Sequence, residues 1–182
     1  MDARCHQLSD ERAFPPPTDR LAFREMTRGD QEIMEELLGD PEVMRYYPRP
    51  KSRDEVSRWI DSTLRSYDEH GHALWVLELI DTGEFIGDCG LTWQNVDGNR
   101  MLEVGYRLLP RFQGVGYATE AAAACLRFAH EKLGEDHVVA IINPDNWASR
   151  ALAERLGMRV EQETTTADGR PIVVYGMRAI PD

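Results

Sequence analysis

Apolar residues recur along the chain at two spacings, and each change of spacing marks a new element. Leu21–Met26 reads as a first strand. A helix beginning at Thr27 or Asp30 follows, its apolar stripe carried by Ile33, Met34, Leu37 and Leu38, with Gly39 as the stop. Asp40-Pro41 opens a short turn. Ser52, with Glu55 three residues on, forms a capping box for a longer helix. Its buried face is predicted from Val56, Trp59, Ile60, Thr63, Leu64 and Tyr67, and Gly71 lies beyond its end.

The period then falls to two. Ala73–Ile80 and Glu84–Trp93 are joined by Asp81-Thr82-Gly83, and Arg100–Leu109 follows an Asp97-Gly98 turn, which predicts a three-stranded meander. A loop, Pro110–Gly116, leads into an Ala-rich helix from Tyr117 to about Leu133. His137–Ile142 is continuously apolar, as strands buried on both faces are. A helix over Asn146–Leu156 ends at Gly157, and Met158–Thr165 and Pro171–Met177 close the chain as a hairpin about Asp168-Gly169. The order β-α-α-β-β-β-α-β-α-β-β predicts a single mixed α/β domain over residues 21–182, behind a flexible leader at 1–20 stiffened by Pro15–Pro17.

Composition narrows the partners. With 182 residues the chain is long enough for one hydrophobic core. No apolar run approaches the roughly 18–20 residues of a membrane span, so no membrane partner is expected. Against 32 acidic side chains stand 21 basic ones, a formal net charge of −11 that disfavours nucleic acid. Cys5, Cys89 and Cys125 lack metal-ligand or CxxC spacing, and the first twenty residues lack the apolar core of a secretory signal. A cytoplasmic location and no bound metal are the expectation, with His70-Gly-His72 read as a loop.

The chemistry concentrates in Glu103-Val-Gly-Tyr-Arg-Leu-Leu-Pro-Arg111-Phe-Gln-Gly114-Val-Gly116-Tyr-Ala-Thr119-Glu120. A strand runs through a two-glycine loop straight into a helix, an arrangement whose free amides and partial positive charge suit a phosphate. By itself the pair of glycines is more often a plain turn. It is no Walker loop, and Thr119 stands where a dinucleotide fingerprint has its third glycine.

Arg111-x-x-Gly114-x-Gly116 between strand and helix, followed by Asn143-Pro-Asp-Asn146-Trp-Ala-Ser149 and Leu-Gly157-Met158, resembles the GNAT N-acetyltransferase superfamily. Gly-Tyr-x-Leu-x-Pro and Gly-x-Gly-Tyr-Ala-Thr-Glu-Ala are most similar to its RimJ/RimL-like branch, which includes ribosomal-protein N-terminal acetyltransferases. The resemblance implies a mixed, mostly antiparallel sheet of about seven strands, splayed between strands 4 and 5 and flanked by about four helices. It implies acetyl-CoA as co-substrate. Tyr106, Leu108 and Leu109 would wall the pantetheine arm. Arg111, Phe112, Gln113, Gly114, Val115, Gly116, Tyr117 and Thr119 would hold the pyrophosphate, and Asn143 and Asn146 would bond the pantetheine or its surroundings. Asn143 is also a natural turn residue and Asn146 a natural helix cap.

The resemblance also implies the catalytic pair: Glu103, on the strand at the gap where some members have a strand Glu, is the candidate base, and Ser149, matching a serine of the ribosomal-protein branch, the candidate acid. Against these stand two plainer readings: a strand Glu paired with Arg107, and a helix Ser bonded back to Asp145. Two departures from relatives of the superfamily matter. Ala153 stands where many place a Tyr acid, and Ile141 where a neighbouring branch has a Glu base; Tyr106 or Tyr175 could substitute for the Tyr. Tyr46, beside Tyr47, and Trp93 are the candidate acceptor contacts, with core packing the alternative for Trp93, Trp59 and Trp75.

The expectation is an N-acetyltransferase acting on a primary amine, either a protein N-terminus or a cationic small molecule. The alternative is a non-catalytic acyl-CoA sensor on the same fold. A homodimer is expected by analogy alone.

Overall fold

The computed structural model describes residues 13–178. The elements are β1 (Leu21–Arg24), α1 (Gln31–Gly39), α2 (Arg53–His70), β2 (Leu74–Leu79), β3 (Phe85–Val96), β4 (Asn99–Leu108), α3 (Tyr117–Phe128), β5 (His137–Ile142), α4 (Trp147–Arg155), β6 (Arg159–Thr165) and β7 (Pro171–Arg178). The capping box at the head of α2 forms, the Ser52 amide donating to Glu55 Oε2 at 2.9 Å.

The strands make one seven-stranded sheet in the order β1-β2-β3-β4-β5-β7-β6. Neighbours are antiparallel except β4 and β5, which run parallel. That pair meets in register only at Leu102–Val138 and Glu103–Val139. Beyond Glu103 the two strands part, which is the splay expected between strands 4 and 5.

Alternation along β3 and β4 sorts their side chains onto two faces. One face meets α3, as the Cys89 Sγ–Cys125 Sγ contact at 3.5 Å records. The other meets α2, where the Arg107 guanidinium lies 5.0 Å from the centre of the Trp59 ring. A large apolar cluster links α1, α2, α3 and the sheet through Leu37, Ile60, Trp75 and Phe128. A smaller one joins Val96, Val139, Ile172 and Val174, so β5 is apolar on both sides.

β3 runs three residues past its expected end, to Val96, and the Ala-rich helix changes character before its expected end. The helix predicted through Leu133 is α-helical to Phe128, and its last residues, Ala129–Leu133, widen into a π turn. Of the expected leader, residues 1–12, with Cys5, lie outside the described residues. Pro15 is buried, and Thr18 and Arg20 bond to Glu120 at the start of α3, so this stretch is part of the fold's surface contacts.

Candidate functional site

Where β4 and β5 part, a cleft of about 1470 Å³ runs between the two faces of the sheet. Its α3 side is built largely from backbone. Leu109 and the residues after it leave the strand, and Gly114 and Gly116 take positive φ angles of 79° and 92°. An L side chain would be strained at either position. Gly116 is the N-cap of α3, and no side chain caps the helix there. The first-turn amides are therefore available to an anion, reinforced by the helix dipole.

On the same side the Tyr106 hydroxyl donates to the Ser149 carbonyl at 3.3 Å. Asn146 Oδ1 accepts from the Ser149 amide at 3.1 Å, making Asn146 the cap of α4. Asn143 Oδ1 accepts from the Asp145 amide at 2.9 Å, which closes the preceding turn. Both asparagines do the local structural work their residue type favours, and both also line the cleft.

The α2 side is built from side chains. Glu103 sits at the last β4–β5 pair, beside Thr92 of β3. Burial pushes its carboxyl up to about 7, although the Ile141 amide, the Arg107 charge and the Gln94 and Thr92 side chains all favour the anion. Arg107 does not take Glu103 as its partner. Its Nε and Nη2 donate to the fully buried Asp88 at 3.0 and 2.6 Å. Tyr47 is 45% exposed overall, yet its hydroxyl faces Arg107 and is pushed up by burial.

Of the residues singled out from sequence, Glu103, Tyr106, Leu108, Gln113, Gly114, Gly116, Tyr117, Thr119, Asn143, Asn146, Ser149 and Tyr46 border this cleft. Five others stand off it. Leu109 is buried in the core, its amide bonded to the Ile86 carbonyl at 2.9 Å. Arg111 turns away to ion-pair with Glu36 at 2.7 Å and lies over the Phe112 ring, which packs on the core. Val115 is 55% exposed, its carbonyl bonded to Arg20. Trp93 alternates onto the α3 face, its ring 4.1 Å from the Arg100 guanidinium.

Tyr175, named as a substitute acid, is buried. Its hydroxyl accepts from Arg150 Nε at 3.0 Å and donates to Glu154 Oε1 at 3.1 Å. Thr92, Gln94 and Arg107 border the cleft without having been picked as site residues, and Trp59, weighed against core packing, borders it too. For the first two a signal existed. The Asp97-Gly98 turn pairs Val96 with Asn99, and counting back from it places Thr92 opposite Glu103 and Gln94 opposite Met101.

Residues 20–159 match the family model described as an acetyltransferase (GNAT) domain. The chain belongs to the GNAT acetyltransferase family. Acetyl-CoA-dependent acetyl transfer to amines is the reaction of that family, and this GNAT chain is an N-acetyltransferase. It is 37% identical over 159 residues to the YkkB protein of Bacillus subtilis, covering 87% of this chain and 92% of that one. Among solved structures, an acetyltransferase of Agrobacterium tumefaciens superposes with a TM-score of 0.78 at 26% identity, covering 89% of this chain and 92% of that one. RimL, a ribosomal L7/L12 alpha-N-protein acetyltransferase solved with coenzyme A, shares the fold. Its TM-score is 0.72 at 17% identity, with coverage of 90% and 97%.

Proposed function

We propose that this GNAT domain takes acetyl-CoA on the α3 side of the fork and a cationic primary amine on the α2 side, with Glu103 as the base between them. The observation that carries the reading is the place of Glu103. It stands where β4 and β5 part, and its carboxyl is held near 7. A group at that pKa is largely an anion just above neutrality and still a competent proton acceptor.

The α3 side fits coenzyme A. Two loop glycines in left-handed conformations and an uncapped helix start present backbone donors to a diphosphate. The open edges of β4 and β5 beyond Glu103 offer backbone groups to the amide-bearing arm, which pairs there as an added strand would. Bound there, acetyl-CoA supplies the thioester.

The chain's own residues then do the following. Glu103 accepts a proton from the ammonium form of the acceptor, directly or through one water, leaving a nucleophilic nitrogen. That nitrogen attacks the acetyl carbonyl carbon; the C–N bond forms, the C–S bond breaks, and the electron pair leaves on sulfur. Ser149, which borders the cleft at the first turn of α4, relays to the departing sulfur the second proton that the nitrogen sheds as the amide forms. The Tyr106 hydroxyl, which reaches the same turn, supports that end of the site.

Tyr46, Tyr47 and Trp59 make an aromatic acceptor wall with Glu103 and Glu42; because Arg45 and Arg107 already lie against those rings, the two carboxylates supply the attraction for a cation. The test is release of CoA thiol from acetyl-CoA across a panel of small amines and N-terminal peptides. Amine-dependent release is expected. Tight CoA binding with no turnover on any amine overturns the reading and leaves the sensor.

A further inference from the structure

We propose that Arg20, together with Thr18 and Glu120, is a strap that positions the pyrophosphate loop for coenzyme A. The proposal rests on the acetyl-CoA reading above, and it assigns Arg20 as a positioning residue. Residues 18–20 sit ahead of the first strand, about a hundred positions from the loop they touch.

The contacts converge on one point. Arg20 Nε and Nη2 meet Glu120 Oε2 at 2.7 and 2.6 Å. The Arg20 amide donates to Glu120 Oε1 at 3.1 Å, and the Thr18 hydroxyl donates to the same oxygen. The remaining arm, Nη1, donates to the Val115 carbonyl at 3.2 Å. The guanidinium lies 4.5 Å from the centre of the Tyr117 ring. One side chain thus grips the loop, the first residue of α3 and an acid in its first turn.

What the grip does follows from peptide geometry. In a planar trans peptide the carbonyl and the next N–H point in opposite directions. Holding the Val115 carbonyl on Arg20 therefore turns the Gly116 N–H the other way. Gly116 borders the cleft and Val115 does not, so the donor is presented where the diphosphate is expected and the acceptor is kept out. Gly116, at φ 92°, is the residue that would let this peptide rotate, since a flip turns ψ of Val115 and φ of Gly116. Were it to flip, a carbonyl oxygen would face the phosphates.

The second task is electrostatic. Glu120 sits in the first turn of α3, where a carboxylate suits the helix dipole but repels a bound anion. Arg20 and Thr18 cover it. Arg111 does not do this work, since its guanidinium pairs with Glu36.

The strap is tested on the full chain by titration calorimetry with CoA, amide exchange over residues 114–117, and acetyl-CoA kinetics. Arg20→Ala is expected to weaken CoA binding about tenfold, the scale of losing charge-assisted bonds. The KM for acetyl-CoA should rise in parallel, with kcat within about threefold, and amides 114–117 should exchange faster. The melting temperature should move little, because Arg20 is part-exposed and such ion pairs contribute little to folding. Adding Glu120→Gln to Arg20→Ala should recover part of the affinity by removing the uncovered carboxylate. Arg20→Lys, which can hold Glu120 or Val115 but not both, should fall between wild type and Arg20→Ala and serves if the alanine variant folds poorly. Wild-type affinity within twofold in Arg20→Ala and Arg20→Lys, with unchanged exchange, overturns the strap. A wild-type chain that binds no CoA overturns the coenzyme reading itself, and the strap with it.

Discussion

The two sides of the fork are built by different means. On the α3 side, the proposed recognition falls to backbone: a loop at 109–116, two glycines with positive φ, and the uncapped start of α3. On the α2 side it falls to side chains drawn from separate elements, among them Tyr47, Trp59 of α2, Thr92 and Gln94 of β3 and Arg107 of β4. Backbone recognition tolerates many sequences so long as the glycines stay, whereas side-chain recognition changes with every substitution. A family that keeps one co-substrate while varying its acceptor is well served by that division.

Each side can be broken separately. The largest effect is expected where the sides meet. Glu103→Gln should lower kcat about a hundredfold, the usual scale for a lost general base. In the wild type, activity should climb with pH through about 7 as the carboxyl loses its proton, and the variant should lack that limb. A glutamine variant that keeps the limb assigns the base elsewhere.

Next comes Gly114→Glu, which puts a carboxylate and a strained left-handed residue into the loop. Isothermal titration should show CoA affinity down by at least about tenfold, from repulsion and strain together. Because a Cβ at Gly114 meets no neighbour within 4 Å, the fold itself should survive.

The α2 side predicts the reverse signature. Tyr47→Ala should raise the acceptor KM about fivefold through loss of the aromatic wall, while the acetyl-CoA KM stays within about twofold. Equal changes in both constants would erase the distinction between the sides. Smallest of all should be Arg111→Ala. With its guanidinium held by Glu36, CoA affinity should stay within about twofold of wild type, a value read in the same titration.

The same division explains what was legible in the sequence. Strand, loop and helix around Gly114 and Gly116 are consecutive in the chain, so their geometry is local and their spacing announces it. The splay followed from the family resemblance, and so did Glu103, as the strand Glu at the gap. Arg111 was legible as a loop cation but not as a partner of Glu36, which lies 75 residues away. Trp93 reads from sequence as an acceptor contact or a core residue, and its register places it on the α3 face. Arg20 and Glu120 meet across 100 residues, and no pattern in either segment points to the other. Thr92 and Gln94 were within reach through the count back from the Asp97-Gly98 turn.

The brief pairing of β4 with β5 has a mechanical consequence. A sheet joined at its middle through Leu102–Val138 and Glu103–Val139 is two smaller sheets sharing a hinge. Four strands lie to one side of it and three to the other. A ligand that zips the open edges acts as mortar between the halves, so binding energy is spent on closing a seam of the architecture as well as on recognition. Glu103, the proposed base, stands on the hinge itself, where any rocking of one half against the other is smallest.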